Sequence, residues 1–166
     1  MRTLESVVYQ YGELGEKARE RVLSDHRAIN VGDNSWYAHI VDGARGIGFD
    51  IAEFEADCRA HVHSQFVDSA MSCARKIVGD HDRGSSVYKL AQQFIADYSQ
   101  LDDAGEIDED GQTAFLHKLE SAYLKILCDE YTYLVSDEAV IATINANELE
   151  FLENGRQFQQ EIQGGK

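Results

Sequence analysis

Proline is absent from this 166-residue chain, which excludes Pro-rich linkers and most rigid loop turns and leaves glycine to punctuate the elements. No apolar run approaches the roughly 20 residues that a membrane span needs, and the N-terminus has no signal peptide's apolar core. A cytoplasmic protein without membrane contact is therefore expected. Cysteine is scarce, odd in number and widely spaced. Cys58, Cys73 and Cys128 each sit among apolar neighbours, as reduced, buried thiols do. Positive charge is the most telling scarcity. Fifteen Lys and Arg face thirty Asp and Glu, for a net charge of −15. From Gly84 to Lys166 there are sixteen acids against five bases, whereas the first half has fourteen against ten. No base lies between Lys89 and Lys118, a stretch that holds Asp97, Asp102, Asp103, Glu106, Asp108, Glu109 and Asp110. Such a field repels nucleic acid and anionic membrane and attracts basic protein surfaces.

What is present is enough for a core. At 43% hydrophobic and 10% aromatic residues, the chain is far from disordered composition, and its length fits one acidic α+β domain over residues 1–166. Leu4 to Tyr11 reads as a strand or extended lead-in. A helix is expected from about Glu13 to Ala28, on Leu14, Ala18 and Val22, and a short one over Trp36–Val41 after the loop Asn30–Asn34. Gly43, Gly46 and Gly48 then interrupt the helical pattern. Ile47, Phe49 and Ile51 alternate with polar or small residues, as do Cys58, Ala60 and Val62, which predicts an antiparallel hairpin joined through Glu53–Asp57. One helical face follows from Val67 to Val78, and another from Val87 to Tyr98 behind Ser85 or Ser86. Beyond the acidic loop, Phe115 to Leu134 keeps helical spacing for about five turns. Ser136 caps a last helix whose Asp137 and Glu138 complement its dipole. Leu149, Phe151, the Asn154-Gly155 turn and Phe158 predict a terminal hairpin. The fold class expected is α+β, a helix-rich single domain with a small antiparallel β-sheet.

Motifs that carry chemistry are weak. Aligning Gly111 with the sixth position of a calcium loop places Glu106, Asp108 and Asp110 at positions one, three and five, but His117 falls where the bidentate carboxylate belongs. A solvated or partner-binding acidic loop is the better account. His61 and His63 share a strand face and can reach one ion, while Cys58 points to the opposite face. Neither CxxC nor HExxH occurs, and two ligands do not close a zinc site. Gly43 to Gly48 has the glycine density of a phosphate loop without its GxxxxGK[ST] pattern, and nothing resembles a nucleophile elbow. No enzyme, cofactor or metal is expected. The residues expected to meet a partner are Asp102, Asp103, Glu106, Asp108, Glu109, Asp110, Asp129, Glu130, Asp137 and Glu138, with Tyr133 as an exposed aromatic contact.

Two segments carry a resemblance. Val8-Tyr9-Gln10-Tyr11-Gly12-Glu13-Leu14-Gly15-Glu16-Lys17-Ala18-Arg19-Glu20-Arg21 is similar to the opening of a loosely defined group of small phage and prophage proteins of unassigned activity, with Gly15 in place of a helix-capping serine. Glu130-Tyr131-Thr132-Tyr133-Leu134-Val135-Ser136-Asp137-Glu138-Ala139-Val140, continuing through Ile144, Asn145-Ala146-Asn147 and Phe151 to Gly155, resembles that group's ending. Together they cover about a quarter of the chain. Some members bear an antitoxin-like label. The resemblance implies a mobile-element origin and a host-cell cytoplasmic setting. Combined with the charge, it leads to the expectation of a non-catalytic anti-defence inhibitor, of anti-CRISPR or anti-restriction type, that presents a DNA-mimic-like surface to a basic nucleic-acid-binding protein. An antitoxin-like neutraliser of a basic toxin, or an accessory phage protein, is the alternative, and homo-oligomerisation is left open.

Overall fold

The computed structural model describes residues 7–56, 60–99 and 107–158. Among them are six α-helices and four strands, in the order β1 (Tyr9–Gln10), α1 (Glu16–Asp25), α2 (Ser35–Gly46), β2 (Phe49–Glu55), β3 (His61–Phe66), α3 (Ala70–Asp80), α4 (Ser86–Asp97), α5 (Glu109–Leu134), α6 (Asp137–Ala146) and β4 (Glu150–Phe151). The fold is helix-rich α+β, and its strands form two separate antiparallel pairs. Within the expected domain the residues group into two compact units: a central one, Ser35–Tyr131, and a terminal one built from both chain ends, Met1–Asn34 with Thr132–Lys166.

The central unit owes its core to helical faces closing over the β2–β3 hairpin. Phe49, Ile51 and Val62 of the hairpin, Cys73, Ala74 and Ile77 of α3, Val87, Ala91 and Phe94 of α4, and Phe115, Leu119, Tyr123 and Leu127 of α5 are all buried. Each large apolar side chain so buried contributes about 1.5–3 kcal/mol. Phe115 stacks on Phe94, with ring centroids 4.1 Å apart, and on Phe66 at 5.8 Å. Phe49 stacks on Tyr123 at 4.9 Å. Ser69 and Ser85 cap α3 and α4 by accepting the backbone N–H groups of Ser72 and Tyr88, which satisfies donors that the helix itself leaves unpaired.

Several boundaries differ from the sequence expectation. Gly43 does not interrupt α2. The helix runs through to Gly46, because burying Ala44 with half-buried Ile40 and Val41 outweighs the roughly 1 kcal/mol that each glycine costs a helix. The break falls at Gly48, whose φ of +87° is a left-handed conformation that favours glycine. Glu53 to Glu55 are strand, not connection. Ile51 pairs with Ser64 but Glu53 with His63, so Ala52 forms a bulge that resets the alternation. Before the bulge Phe49 and Ile51 face the core; after it Phe54 and Val62 pack there, and Glu53, Glu55, His61 and His63 face away. Val67, expected on the inner face of the following helix, is 57% exposed and lies ahead of α3. Cys58, expected in the second strand, lies outside the described residues.

In the terminal unit the expected lead-in, of which Leu4 to Ser6 lie outside the described residues, holds a two-residue strand whose partner is distant in sequence: Tyr9 pairs with Phe151 and Gln10 with Glu150. The expected terminal hairpin is also present as a tight one. Leu152 N–H donates to Arg156 at 2.8 Å, Phe151 bridges to Gln157, and Phe158 N–H donates to Glu150. Leu14, Ala18, Val22, Val140, Ile144 and Phe151 form the core. Helix α1 begins at Glu16, later than expected. Tyr11–Glu13 make a 3-10 turn closed by Glu13 accepting the Gln10 N–H, and Gly15 at the N-cap has no side chain to bond. Gly155 has φ +82°, and a Cβ there would lie 2.6 Å from the Ala18 carbonyl oxygen. Polar ties complete the unit. Asn30 donates to Leu134 O at 2.9 Å and accepts from Thr143 Oγ1 at 2.6 Å, and Arg27 donates to Val135 O at 3.0 Å.

Candidate interaction surface

Helix α5 starts at Glu109, well before Phe115, and this changes the meaning of the acidic stretch. Asp108 Oδ1 accepts the Gly111 N–H at 2.8 Å, so Asp108 caps the helix, and Glu109 and Asp110 occupy its first turn. Negative charge there complements the positive end of the helix dipole and stabilises it by about 0.3–1 kcal/mol per group. Because residues 109–117 are helical, the twelve-residue calcium loop is not formed. Asp102, Asp103 and Glu106 lie outside the described residues.

The remaining expected contacts are dispersed. Asp129 pairs with Lys125 one turn earlier, and Asp137, in the first turn of α6, pairs with Arg27. Glu130 is partly exposed, Glu138 is exposed, and Tyr133 is 55% exposed. Asp110 and Asp129 are nineteen residues apart on one helix, about 28 Å along its axis and about 100° around it. The members on α5 therefore do not close into one tight patch, because helical rise separates residues that the acidic composition groups together.

What the set retains is exposure. Among the described residues no charged side chain is buried. Two half-buried acids, Asp50 and Glu120, are each bonded. Arg45 lies 2.8 Å from Asp50 and holds its carboxyl below the usual carboxylate range. Glu120 accepts the Ser64 N–H and hydroxyl at 3.1 and 2.9 Å through one oxygen and meets His117 Nδ1 at 2.9 Å through the other. Sequence reading passed over Glu120, whose only signal was its place three residues after His117. Here the carboxylate, not the imidazole, stands between the other two side chains, so the serine faces no general base and the arrangement is not a triad. It ties β3 to α5.

The central unit's buried thiol is also unsuited to nucleophilic chemistry. Burial pushes the Cys73 thiol up to about 12, and the adjacent Tyr123 phenol up to about 12 as well, so no thiolate is available at neutral pH. In the terminal unit an open groove bounded by Val7, Tyr9, Leu152, Glu153 and Asn154 brings no set of titratable groups together. No described helix is long and apolar enough to cross a membrane. No family model, curated protein or solved structure matches the chain.

Proposed function

We propose that this protein is a non-catalytic inhibitor of mobile-element anti-defence type that binds a basic, nucleic-acid-binding host protein. The observation that carries this reading is the solvent-facing negative excess: a net charge of −15 with no charged side chain buried among the described residues. The partner chemistry follows from it. Nucleic-acid grooves are lined with Lys and Arg, and an acidic protein is drawn to them by the field that draws phosphates.

The dispersal of the acids sets the mode. Complementary charge over a broad surface speeds encounter and orients docking, whereas a phosphate-by-phosphate replica requires carboxylates at fixed close spacing. Glu109, Asp110, Glu130 and Glu138, which have no ion pair among the described residues, are the charges left to act, with Tyr133 as the exposed aromatic. Asp129 and Asp137 are already neutralised.

The test adds purified protein to a panel of CRISPR and restriction nucleases and measures target-DNA binding. At least one nuclease is expected to lose binding, with the inhibition weakening as salt rises. Replacing Glu109, Glu130 and Glu138 by Gln and Asp110 by Asn is expected to slow association tenfold or more at unchanged melting temperature. Undiminished inhibition by that variant refutes the acidic surface. A panel with no affected nuclease refutes the target class, and rescue of cells from a neighbouring toxic gene would move the protein to the antitoxin class.

A further inference from the structure

Asn154-Gly155 forms the turn after β4, and Asn154 is the only one of the chain's five asparagines that precedes a glycine. Such a pair carries its own chemistry. Once base removes the glycine amide proton, that nitrogen can attack the asparagine Cγ. The N–Cγ bond forms, the Cγ–Nδ2 bond breaks, and the departing group takes a proton from water and leaves as ammonia. Water then opens the cyclic imide. Opening at Cγ gives aspartate, whereas opening at the backbone carbonyl gives isoaspartate, whose main chain runs through the former side chain. Glycine admits the approach because it carries no Cβ.

In the fold both reacting groups are held off this path. Gly155 is buried and its N–H donates to Leu152 O at 2.8 Å, so the proton that base must take is already bonded. Asn154 is exposed, yet its Oδ1 accepts the Arg156 N–H at 3.0 Å, which aims the side-chain carbonyl past Gly155 at the next residue. The Gly155 backbone is seated against α1, so closely that a Cβ would lie 2.6 Å from the Ala18 carbonyl oxygen. The nitrogen is freed to move only when the turn lifts. The unit that holds it is closed by strands from the two chain ends, Tyr9 with Phe151, over a small core, the kind of element that opens before the whole chain unfolds.

We propose that Asn154 is a deamidation site gated by this turn, silent while the turn is seated and reactive whenever it lifts. The two products then part ways. Aspartate leaves the main chain as it was, and its carboxylate accepts the Arg156 N–H as the amide oxygen did. Isoaspartate inserts a further carbon into the main chain between Leu152 and Arg156, whose 2.8 Å bond closes the turn. The seat on Ala18 and the bridge from Phe151 to Gln157 are lost with that bond. A molecule that dwells open is thereby marked irreversibly.

The full chain, native and unfolded in guanidinium chloride, is incubated in mildly alkaline buffer to test this. Conversion of Asn154 is followed by peptide mass mapping, with aspartate and isoaspartate separated by chromatography. The native chain is expected to convert at least about tenfold more slowly than the unfolded one. In the unfolded chain Asn30, Asn34, Asn145 and Asn147, each followed by a residue with a side chain, should lag behind Asn154. Sub-denaturing guanidinium chloride, and Val22→Ala in the core of this unit, are each expected to raise the native rate severalfold. The purified isoaspartate form should lose the Tyr9–Phe151 pairing in NMR spectra, and Asn154→Asp should keep it. Equal native and unfolded rates, or a native rate that neither perturbation moves, overturn the gating. An unfolded chain whose Asn154 converts no faster than its other asparagines overturns the site, and an isoaspartate form with the pairing intact overturns the irreversible mark.

Discussion

The two units are stabilised by different physics. The central unit is one continuous stretch, residues 35–131, held by helical apolar faces and by the aromatic stack through Phe115. The terminal unit joins chain ends whose paired strands, at Tyr9 and Phe151, are separated by most of the sequence. Its core is smaller, and it relies on a glycine approached closely by backbone and on side-chain bonds to backbone carbonyls. The charge divides as well: eighteen acids against eight bases in the central stretch, twelve against seven in the remainder. The comparison teaches that local pattern is enough to assemble a core where the chain is contiguous. Where the ends must find each other, specific polar and steric fits do the selecting, since closing so long a loop has an entropic cost that a few apolar contacts offset only in part.

Substitutions at the contrasting points test this. Phe115→Ala removes the ring that stacks on both Phe94 and Phe66 and should destabilise the protein by about 3–5 kcal/mol in chemical denaturation. A loss below about 1 kcal/mol would show that the stack is not what holds the central unit. Gly155→Ala strikes the terminal unit, adding a methyl against the Ala18 carbonyl at a φ of +82°. It should cost about 2–4 kcal/mol through left-handed strain and overlap together, and a near-neutral result would mean the close approach relaxes freely. The last effect is nil at neutral pH. Cys73 and Tyr123 hold their protons up to about 12 in the fold, against ordinary values of 9.0 and 10.0. Above about pH 9 the unfolded chain therefore binds fewer protons than the native one, and stability falls as pH rises toward 12. Denaturation midpoints between pH 7 and 11 should decline for the parent and less steeply for Cys73→Ala, whereas parallel declines would remove the thiol from the account.

Much of this architecture was legible beforehand. Of Ser85 and Ser86, either of which the sequence offers, Ser85 caps α4, and Ser136 caps α6 as expected, because capping is a local geometry of three or four residues. The α4, α5 and α6 apolar faces were readable for the same reason, as was the Asn154-Gly155 turn. Where reading went astray, tertiary packing outweighed local cost. Gly43, expected to break the helix, lies inside α2, which ends at Gly46, and Glu53 and Glu55, expected in the connection, are strand residues beyond the Ala52 bulge. The candidate site shows the same limit. The pairing of Asp129 with Lys125, one helical turn away, is a local one, but the pairing of Asp137 with Arg27 depended on which residues α6 meets, and the use of Asp108 as a cap on where α5 starts.

The sequence by itself determined the sign and scale of the surface field, the helix-rich α+β class and most helix centres, because net charge is a sum and amphipathic periodicity is local. Only the tertiary structure decided the pairing of β1 with β4, the outward turn of His61, His63, Glu53 and Glu55 at the bulge, and the dispersal of the acids along α5. The first is a relation between residues far apart in the chain, set by which surfaces pack together; the other two follow from the hairpin's register and from where α5 begins, which hydrophobic periodicity alone does not fix.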